Sequence, residues 1–479
     1  MHRLVQIATR NWLDAEKELE TWKSKAVRRM AQIFPWERCD NWKICDALFP
    51  HMDALLDMKF SEEEDLLNEA TCLYRTARYL DGKGKYDLAF QKIQRAIGIR
   101  RKFYKEDDKN MLDCISLQSV ILRAQGQYKE AEKASHQALA GYQEILPEDH
   151  LEILNESCQL AEIQTKLGNY EEAEQGFQQA LAKQREILEP DNEDLLININ
   201  NLALLYVDVA KYKEAETLYQ EQLILYEKKF GLEHPETLTC IHNLAMVMSY
   251  QNKYGEAVTI TKYVLHKRKR MLGPDHPDTL ISVGHLAIYL RKQNKYKEAE
   301  ELDRRALAGY EKTLGLEHPG TLISVNNLAF DLAYQKNCDE AIPLYERALV
   351  ARRKIHGSKH PETKIVLDNY LDLREEMEDD GIEPPETDLL SPLASSEDER
   401  DLAEIGTGGR ASGAGEEGEE EEKEEEEEEE DEVRTKESDL KKASDAVISR
   451  FLSSEDDDAW SINELLGDEP SETEGKATE

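Results

Sequence analysis

A period of 42 residues runs through most of this 479-residue chain and constrains its fold more than any other feature. One position of the period is a tyrosine, with cysteine in the last copy: Tyr86, Tyr128, Tyr170, Tyr212, Tyr254, Tyr296 and Cys338. Three residues after each stands an alanine: Ala89, Ala131, Ala173, Ala215, Ala257, Ala299 and Ala341. A fixed period of this size is typical of repeat arrays, which present long binding surfaces. The period therefore predicts a protein that binds other molecules.

Each repeat contains two helical patterns joined by a short turn. In the fourth repeat we expect a first helix over about Glu193–Val209 and a second over about Tyr212–Lys228. Connections this short join antiparallel helices. A ring of small residues on the first helices lets the two helices approach closely: Ala77, Ser119, Ala161, Ala203, Ala245, Ala287 and Ala329. We predict an all-α fold, a right-handed superhelical solenoid of about seven hairpins over residues 66–360.

The linker between repeats reads Leu-Gly-x-x-His-Pro-x-Thr-Leu. Its clearest copies contain His234-Pro235, His276-Pro277, His318-Pro319 and His360-Pro361. Proline suits the first turn of a helix, so each His-Pro pair predicts the start of a first helix. A last helix over residues 361–380 is expected to cap the stack. Histidines in successive repeats lie roughly 10 Å or more apart, too far to share one metal ion, so we predict no metal site.

Acidic residues are concentrated at the C-terminal end. Residues 375–479 hold 41 of the 100 acidic residues but 9 of the 61 basic ones. Such a segment repels itself, so residues 381–479 are predicted to be a disordered acidic tail. It also repels nucleic acid and anionic membranes, and neither is an expected partner. Residues 446–466 form an apolar island in this tail: Val447, Ile448, Phe451, Leu452, Trp460, Ile462, Leu465 and Leu466.

Other features favour a cytoplasmic, non-enzymatic protein. The seven cysteines are scattered without a CxxC pair, as expected of buried thiols in a reducing compartment. The N-terminal residues lack the apolar run of a signal peptide, and no window approaches the length of a membrane span. No nucleophile motif stands at a turn. We expect no catalytic residue and no cofactor.

The repeats resemble a known family. Five residues of the fourth repeat have the tetratricopeptide repeat (TPR) spacing: Leu202, Ala203, Tyr206, Ala215 and Tyr219. The 42-residue period, the Asn-Asn-Leu-Ala start and the His-Pro linker resemble the kinesin light chain type over residues 66 to about 373. Thr76 and Gln118 depart from the expected leucine in the first two repeats. The resemblance implies a scaffold for protein–protein interaction.

Residues 1–60 lie outside the period. They are rich in tryptophan and are expected to form about three helices, one with an apolar stripe from Trp12 to Ile33. The start, Met1 to Gln6, is similar to the end of the winged-helix part of fungal NB-ARC/TPR (STAND) signalling ATPases, with His2 as the counterpart of their phosphate-contacting histidine. No GxxxxGK[ST] motif occurs. We therefore expect the sensor half of such a receptor, or a shortened gene model of one, without nucleotide binding.

The resemblance implies that the first helices line a concave groove. One row of this groove has mainly amides, which donate to and accept from a peptide backbone: Asn201, Asn243, His285 and Asn327. Three residues later stands an apolar row suited to side chains: Leu204, Met246, Ile288 and Phe330. Arg291 and Lys292 follow on the sixth repeat. The rows predict a peptide-binding groove; alternatively, the asparagines only bond neighbouring helices.

The predicted ligand is an extended peptide with one bulky apolar anchor flanked by acids. The tail contains such a sequence, in which Asp457 and Asp458 precede Trp460. One hypothesis is that the tail occupies the groove of its own chain; alternatively, Trp460 serves another protein or has no role. The basic stretches His266–Arg270 and Arg352–Lys354 could attract the acidic tail. A kinesin-light-chain-like cargo adaptor remains an alternative function, although residues 1–60 lack its long coiled coil.

Overall fold

A computed structural model of the protein describes residues 12–35, 42–356, 358 and 361–385, and the single positions Lys442, Ala446, Ser449 and Leu465. Within these ranges the regular elements are α-helices, and no strand is present. Trp460, Asp457, Asp458 and His2 lie outside the described residues. Before the repeats lie α1 (Leu19–Ile33) and α2 (Trp42–Leu56). The stretch expected to be helical from Trp12 is interrupted: residues 12–15 are helical, and α1 begins only at Leu19, because Lys17 has a φ of 60°, a left-handed conformation that breaks a helix.

Each repeat of the period contains the two expected helices, which confirms the predicted array. The first helices are α3 (Glu63–Gly82), α5 (Lys109–Ala124), α7 (Leu151–Leu167), α9 (Glu193–Asp208), α11 (Pro235–Tyr250), α13 (Pro277–Lys292) and α15 (Pro319–Tyr334). The second helices are α4 (Tyr86–Arg100), α6 (Tyr128–Ile145), α8 (Tyr170–Ile187), α10 (Tyr212–Phe230), α12 (Tyr254–Leu272), α14 (Tyr296–Leu314) and α16 (Cys338–His356). A last helix, α17 (Pro361–Asp379), follows.

Internal contacts divide the chain into two compact units, Met1–Ala210 and Lys211–Glu479. The N-terminal unit contains α1 to α9, and the C-terminal unit contains α10 to α17. The border falls inside the fourth repeat, between its two helices. The uniform period of the sequence did not predict this division.

Small side chains set the distance between the helices. The alanines of the ring on the second helices are completely buried, and the small residues of the ring on the first helices are buried to the same degree. A Cβ built on Gly176 of α8 would lie 3.3 Å from the Cβ of Ala161 on α7. This separation leaves no space for a larger residue, so the rings fix how closely the two helices of a hairpin pack.

One repeat position caps the first helices. The Nδ1 atoms of His234, His276 and His318 accept hydrogen bonds from the backbone N–H two residues later, at 3.3, 3.2 and 3.1 Å. Side-chain oxygens of Asp108 and Asn192 accept the same bond at 2.9 Å. Such a cap stabilises a helix by about 1 kcal/mol. His234, His276 and His318 are therefore helix caps, in line with their predicted place in the linker, and His360 lies outside the described residues.

The turn inside each hairpin uses one residue with positive φ. These residues again share a repeat position: Gly84, Gly126, Gly168, Ala210, Asn252, Asn294 and Lys336, with φ from 58° to 84°. Glycine adopts this conformation without strain and asparagine tolerates it, whereas a Cβ makes it unfavourable for other residues. Ala210 and Lys336 therefore hold strained backbones.

We predict that Ala210→Gly raises the free energy of unfolding by about 0.5–1 kcal/mol, because it relieves this strain. The matched control is Ala182→Gly, at an exposed position inside α8, where glycine should lower stability by about 1 kcal/mol. Thermal unfolding followed by circular dichroism measures both effects. A loss of stability in both variants would contradict the assignment of strain to Ala210.

Candidate peptide-binding site

The first helices of the C-terminal unit expose isoleucines at one repeat position. Ile281, Ile323 and Ile365 on α13, α15 and α17 are 40, 46 and 55 % exposed. Two of them stand two helical turns before Ile288 and Phe330 of the predicted apolar row and so lie on the same side of their helices. Exposing apolar side chains to water is unfavourable, so a row of them on the surface marks a candidate interaction site. We call Ile281, Ile323 and Ile365 the isoleucine ladder.

The isoleucine ladder was not among the residues predicted for the groove. In the sequence of a helix an exposed isoleucine cannot be distinguished from a buried one, so the pattern alone does not show that these three side chains are exposed. A signal was present, because the equivalent positions of the first three repeats are polar: Thr71, Asp113 and Asn155. A position that is polar in some repeats and apolar in others is a surface position.

The predicted apolar row is partly accessible. Met246, Ile288 and Phe330 are half-buried in the C-terminal unit, and Leu204 is exposed in the N-terminal unit. The Phe330 ring has its centroid 5.1 Å from the Arg291 guanidinium. The structure thus brings Ile288 and Phe330 together with the isoleucine ladder on one helix face. We call this surface, Met246, Ile288 and Phe330 with the ladder, the first-helix face of the C-terminal unit.

The predicted amide row has mixed roles. The Asn201 amide donates a hydrogen bond to Glu162 Oε1 at 2.5 Å, which joins α9 to α7. Asn243 and Asn327 are half-buried on α11 and α15. The main-chain carbonyl of Asn327 accepts from Arg291 Nη2 at 3.4 Å. For Asn201 the geometry agrees with the alternative, a bond between neighbouring helices; for the others peptide binding stays a prediction.

His285, the fourth member of this row, is half-buried and pairs with the buried His242. Its ring stacks on His242 with centroids 4.6 Å apart and planes inclined by 25°. Burial lowers the pKa of His285 to about 4, and the Arg268 cation adds to this effect. Burial also holds the pKa of His242 well below its ordinary value. Neither ring nitrogen of His242 has a hydrogen-bond partner among the described atoms. Both histidines are therefore neutral at physiological pH.

Arg291 is engaged in a buried network. Its Nη2 atom lies 2.8 Å from Asp303 Oδ2, and its Nε donates to Asp331 Oδ1. Both carboxylates are buried, and burial raises the pKa of Asp303 well above its usual range despite the nearby guanidinium. A peptide at Arg291 would have to compete with two carboxylates. Lys292 is exposed and forms no ion pair with any described residue, so it is the available cation of the predicted pair.

The first helices of the first three repeats line a polar cavity instead. The cavity, of about 260 Å³, is lined mainly by residues of α3, α5 and α7, among them Asp81, Asp113 and Glu156, and also by Arg78. Glu156 is buried and accepts hydrogen bonds from the hydroxyls of Ser116 and Ser135 at 2.5 and 2.6 Å. Burial raises the pKa of its carboxyl group despite these two bonds. The first three repeats therefore offer different chemistry from α13, α15 and α17 on equivalent helix faces. In the fourth repeat, Ile197 of α9 stands at the ladder position and is 53 % exposed, so the apolar position already occurs in the N-terminal unit.

The remaining predictions concern chemistry other than peptide binding. The described residues contain no group of three or more histidine, cysteine or acidic side chains placed to hold a metal ion. No helix in the described ranges is long and apolar enough to cross a membrane. Burial raises the pKa of the thiols of Cys72 and Cys158 to about 12 and of Cys114 to about 11, which suppresses the reactive thiolate.

Comparison with known families supports the repeat architecture described above. Two family models, both described as tetratricopeptide repeat, match the sequence. One matches residues 113–186, 152–221, 195–260 and 316–380, and the other matches residues 279–320. Together the matches cover more than half of the chain. A nucleotide-binding leucine-rich repeat (NLR)-like protein of Hyaloscypha variabilis is 33 % identical over 101 residues, which are 21 % of this chain and 10 % of that protein. The chain thus spans about a tenth of the length of this relative.

Solved structures resemble the fold. Nearly identical TPR-like repeats of a Podosopora anserina protein named for kinesin light chain are 26 % identical, with a TM-score of 0.38, and the match covers 42 % of this chain and 96 % of theirs. Aspartyl phosphate phosphatase F of Bacillus subtilis is 13 % identical, with a TM-score of 0.50, and the match covers 71 % of this chain and 94 % of that one. The latter likeness concerns the fold alone.

We predict that Arg291→Met destabilises the protein by about 3–5 kcal/mol, because it leaves two buried carboxylates without their cation. Arg304→Met is the matched control. Arg304 also joins two carboxylates, Glu300 at 2.8 Å and Glu340 at 2.6 Å, but on the surface, where the loss should stay below about 1 kcal/mol. Urea denaturation measures both. If both variants lost the same free energy of unfolding, the prediction that burial makes the Arg291 network the more important of the two would be contradicted.

The neutral histidine pair predicts a pH dependence of stability. The unfolded chain binds a proton at each histidine near pH 6.5, whereas the folded pKa of His242 lies far lower. Acidification below pH 6.5 therefore favours unfolding, by about 1.4 kcal/mol per pH unit for His242. His242→Phe keeps the ring but should remove this contribution. Melting temperatures at pH 7.5 and 5.5 compare the two proteins; the same decrease in both would contradict the prediction.

Proposed function

We propose that this chain, which belongs to the tetratricopeptide repeat family, is a non-enzymatic scaffold that binds an extended peptide of a partner protein. The peptide would lie along the first-helix face of the C-terminal unit. One observation carries the proposal: the isoleucine ladder exposes the same apolar side chain at intervals of 42 residues on α13, α15 and the last helix, α17. Apolar surface that recurs in register suits a ligand that is itself extended and periodic.

The first-helix face supplies two kinds of contact. The isoleucine ladder, Ile288 and Phe330 would seat apolar side chains, and burying one large side chain contributes about 1.5–3 kcal/mol. The half-buried amides of Asn243 and Asn327 would bond the peptide backbone, since an amide both donates and accepts. Backbone contacts give affinity and apolar seats give selectivity, a division common in peptide recognition.

Charge supports a C-terminal location for an acidic peptide. Lys292 is an exposed cation four residues after Ile288 of this face, whereas the cavity of the N-terminal unit is lined by four acidic side chains and one cation, Arg78. Like charges repel, so an acidic ligand is disfavoured on the N-terminal unit. Because Arg291 is already paired with Asp303 and Asp331, the preference of this surface for acidic peptides depends on Lys292.

The setting we propose is intracellular signalling in the cytoplasm. Cys72, Cys114, Cys158 and Cys240 are buried free thiols, as expected in a reducing compartment. A second candidate function is the sensor part of a nucleotide-binding receptor. The similarity to a nucleotide-binding leucine-rich repeat (NLR)-like protein favours it, over the short stretch that the two share. A kinesin-light-chain-like cargo adaptor is the other alternative.

The proposal predicts that peptides selected from a random displayed library on the full chain contain a bulky apolar residue beside acids. Their affinity, measured by fluorescence anisotropy, should fall at least about tenfold in Ile323→Asp, because the charge is placed in an apolar seat. The matched control is Ile187→Asp at the end of α8, since Ile187 is 45 % exposed and Ile323 46 %. Peptides that bind all three proteins equally would contradict the proposal.

A further inference from the structure

The acidic tail contacts the C-terminal unit at a described position. Leu465, in the apolar island, is only 4 % exposed. Its main-chain carbonyl accepts a hydrogen bond from Lys269 Nζ at 3.0 Å. Lys269 stands in the last turn of α12, 196 residues earlier in the chain. A leucine within such an acidic sequence is buried only where apolar surface covers it, and the lysine contact locates that surface beside α12.

We propose that the apolar island, residues 446–466, docks on the C-terminal turns of α12 of its own chain, with Leu465 as its anchor. The docking surface combines a cation with apolar area: Lys269 donates to the tail, and Met271 is exposed two residues later. Arg270 adds a second exposed cation in the same turn. This combination matches the island, whose apolar residues are interspersed with acids such as Glu464.

The hydrogen bond fits the end of a helix. Leu465 is helical, and Gly467 two residues later predicts a helix stop. Carbonyls in the last turn of a helix lack partners within it, so a lysine side chain that donates there satisfies an otherwise unpaired acceptor. In the proposed docking, Lys269 would donate to this carbonyl and Leu465 would supply the apolar anchor.

In the basic stretch His266–Arg270, the proposed docking uses Lys269 and Arg270, because Lys267 and Arg268 have other partners. Lys267 already bonds Glu233 at 2.5 Å, and Arg268 is buried, where it donates to Ser282 at 3.0 Å. Two outward cations are a weak attraction in physiological salt. A segment of the same chain compensates for weak contacts, because its effective concentration is on the order of millimolar. The docked segment is therefore expected to belong to the same molecule.

This docking surface is separate from the proposed peptide surface. Lys269 lies on α12, a second helix, whereas the isoleucine ladder lies on the first helices α13 and α15 and on α17. The inference thus differs from the hypothesis in which Trp460 enters the groove. Because the two surfaces use different helices, loss of one contact leaves the other available for testing.

Hydrogen exchange of the full chain, followed by mass spectrometry, tests the docking. Backbone amides of residues 461–467 should exchange at least about tenfold more slowly in the wild type than in Leu465→Asp, because the docked helix is protected. Lys269→Ala should lose part of the protection, at least about threefold. Two matched controls should leave it unchanged: Leu402→Asp, elsewhere in the tail, and Lys297→Ala, an exposed lysine at the start of α14.

Unprotected exchange of residues 461–467 in the wild type would overturn the proposal. So would protection that survives Leu465→Asp and Lys269→Ala, because the island would then be ordered without α12. The measurement is repeated at 1 and 100 µM protein. Protection that is independent of concentration supports docking within one chain, whereas protection that increases with concentration would show docking between two copies and contradict the proposal as stated.

Discussion

The close approach of the two helices in each hairpin is the constraint on which the rest of the structure depends. Alanine or serine at one position of each first helix, and alanine at one position of each second helix, are completely or almost completely buried. Such side chains permit backbones to come near the lower end of the usual distance between helices, about 8 Å. A larger residue in either ring would separate the helices and change the packing on the neighbouring repeat.

The same scaffold carries two chemically different surfaces. Since the rings and the caps fix the backbone, the exposed side of each first helix is free to vary from repeat to repeat. In the first three repeats that side lines a cavity with acidic side chains such as Asp81 and Asp113, and on α13, α15 and α17 it carries the isoleucine ladder. The second helices provide a third surface, where Lys269 bonds the carbonyl of Leu465. Repeat arrays therefore separate the requirements of folding from those of binding.

The sequence predicted the fold well and the candidate site only in part. The hairpins, the turns and the His-Pro helix starts follow from short-range rules, so α9 and α10 end within two residues of their expected limits. The sequence does not reveal the partners of Arg291, because Asp303 and Asp331 lie 12 and 40 residues away and are brought to it only by packing; its part in peptide binding stays a prediction. The isoleucine ladder could not be predicted, because the exposed fraction of a side chain depends on how the repeats pack together. That fraction is what distinguishes a core isoleucine from one that can bind a ligand.

The most direct test of the central claim observes the isoleucine ladder itself. The full chain, labelled with ¹³C at isoleucine δ1 methyl groups, is titrated with a selected peptide while methyl spectra are recorded. The account predicts that the signals of Ile281, Ile323 and Ile365 shift together in proportion to binding, and that the signal of Ile187 does not. Binding that leaves the three ladder signals unchanged would show that the peptide lies elsewhere and would contradict the account.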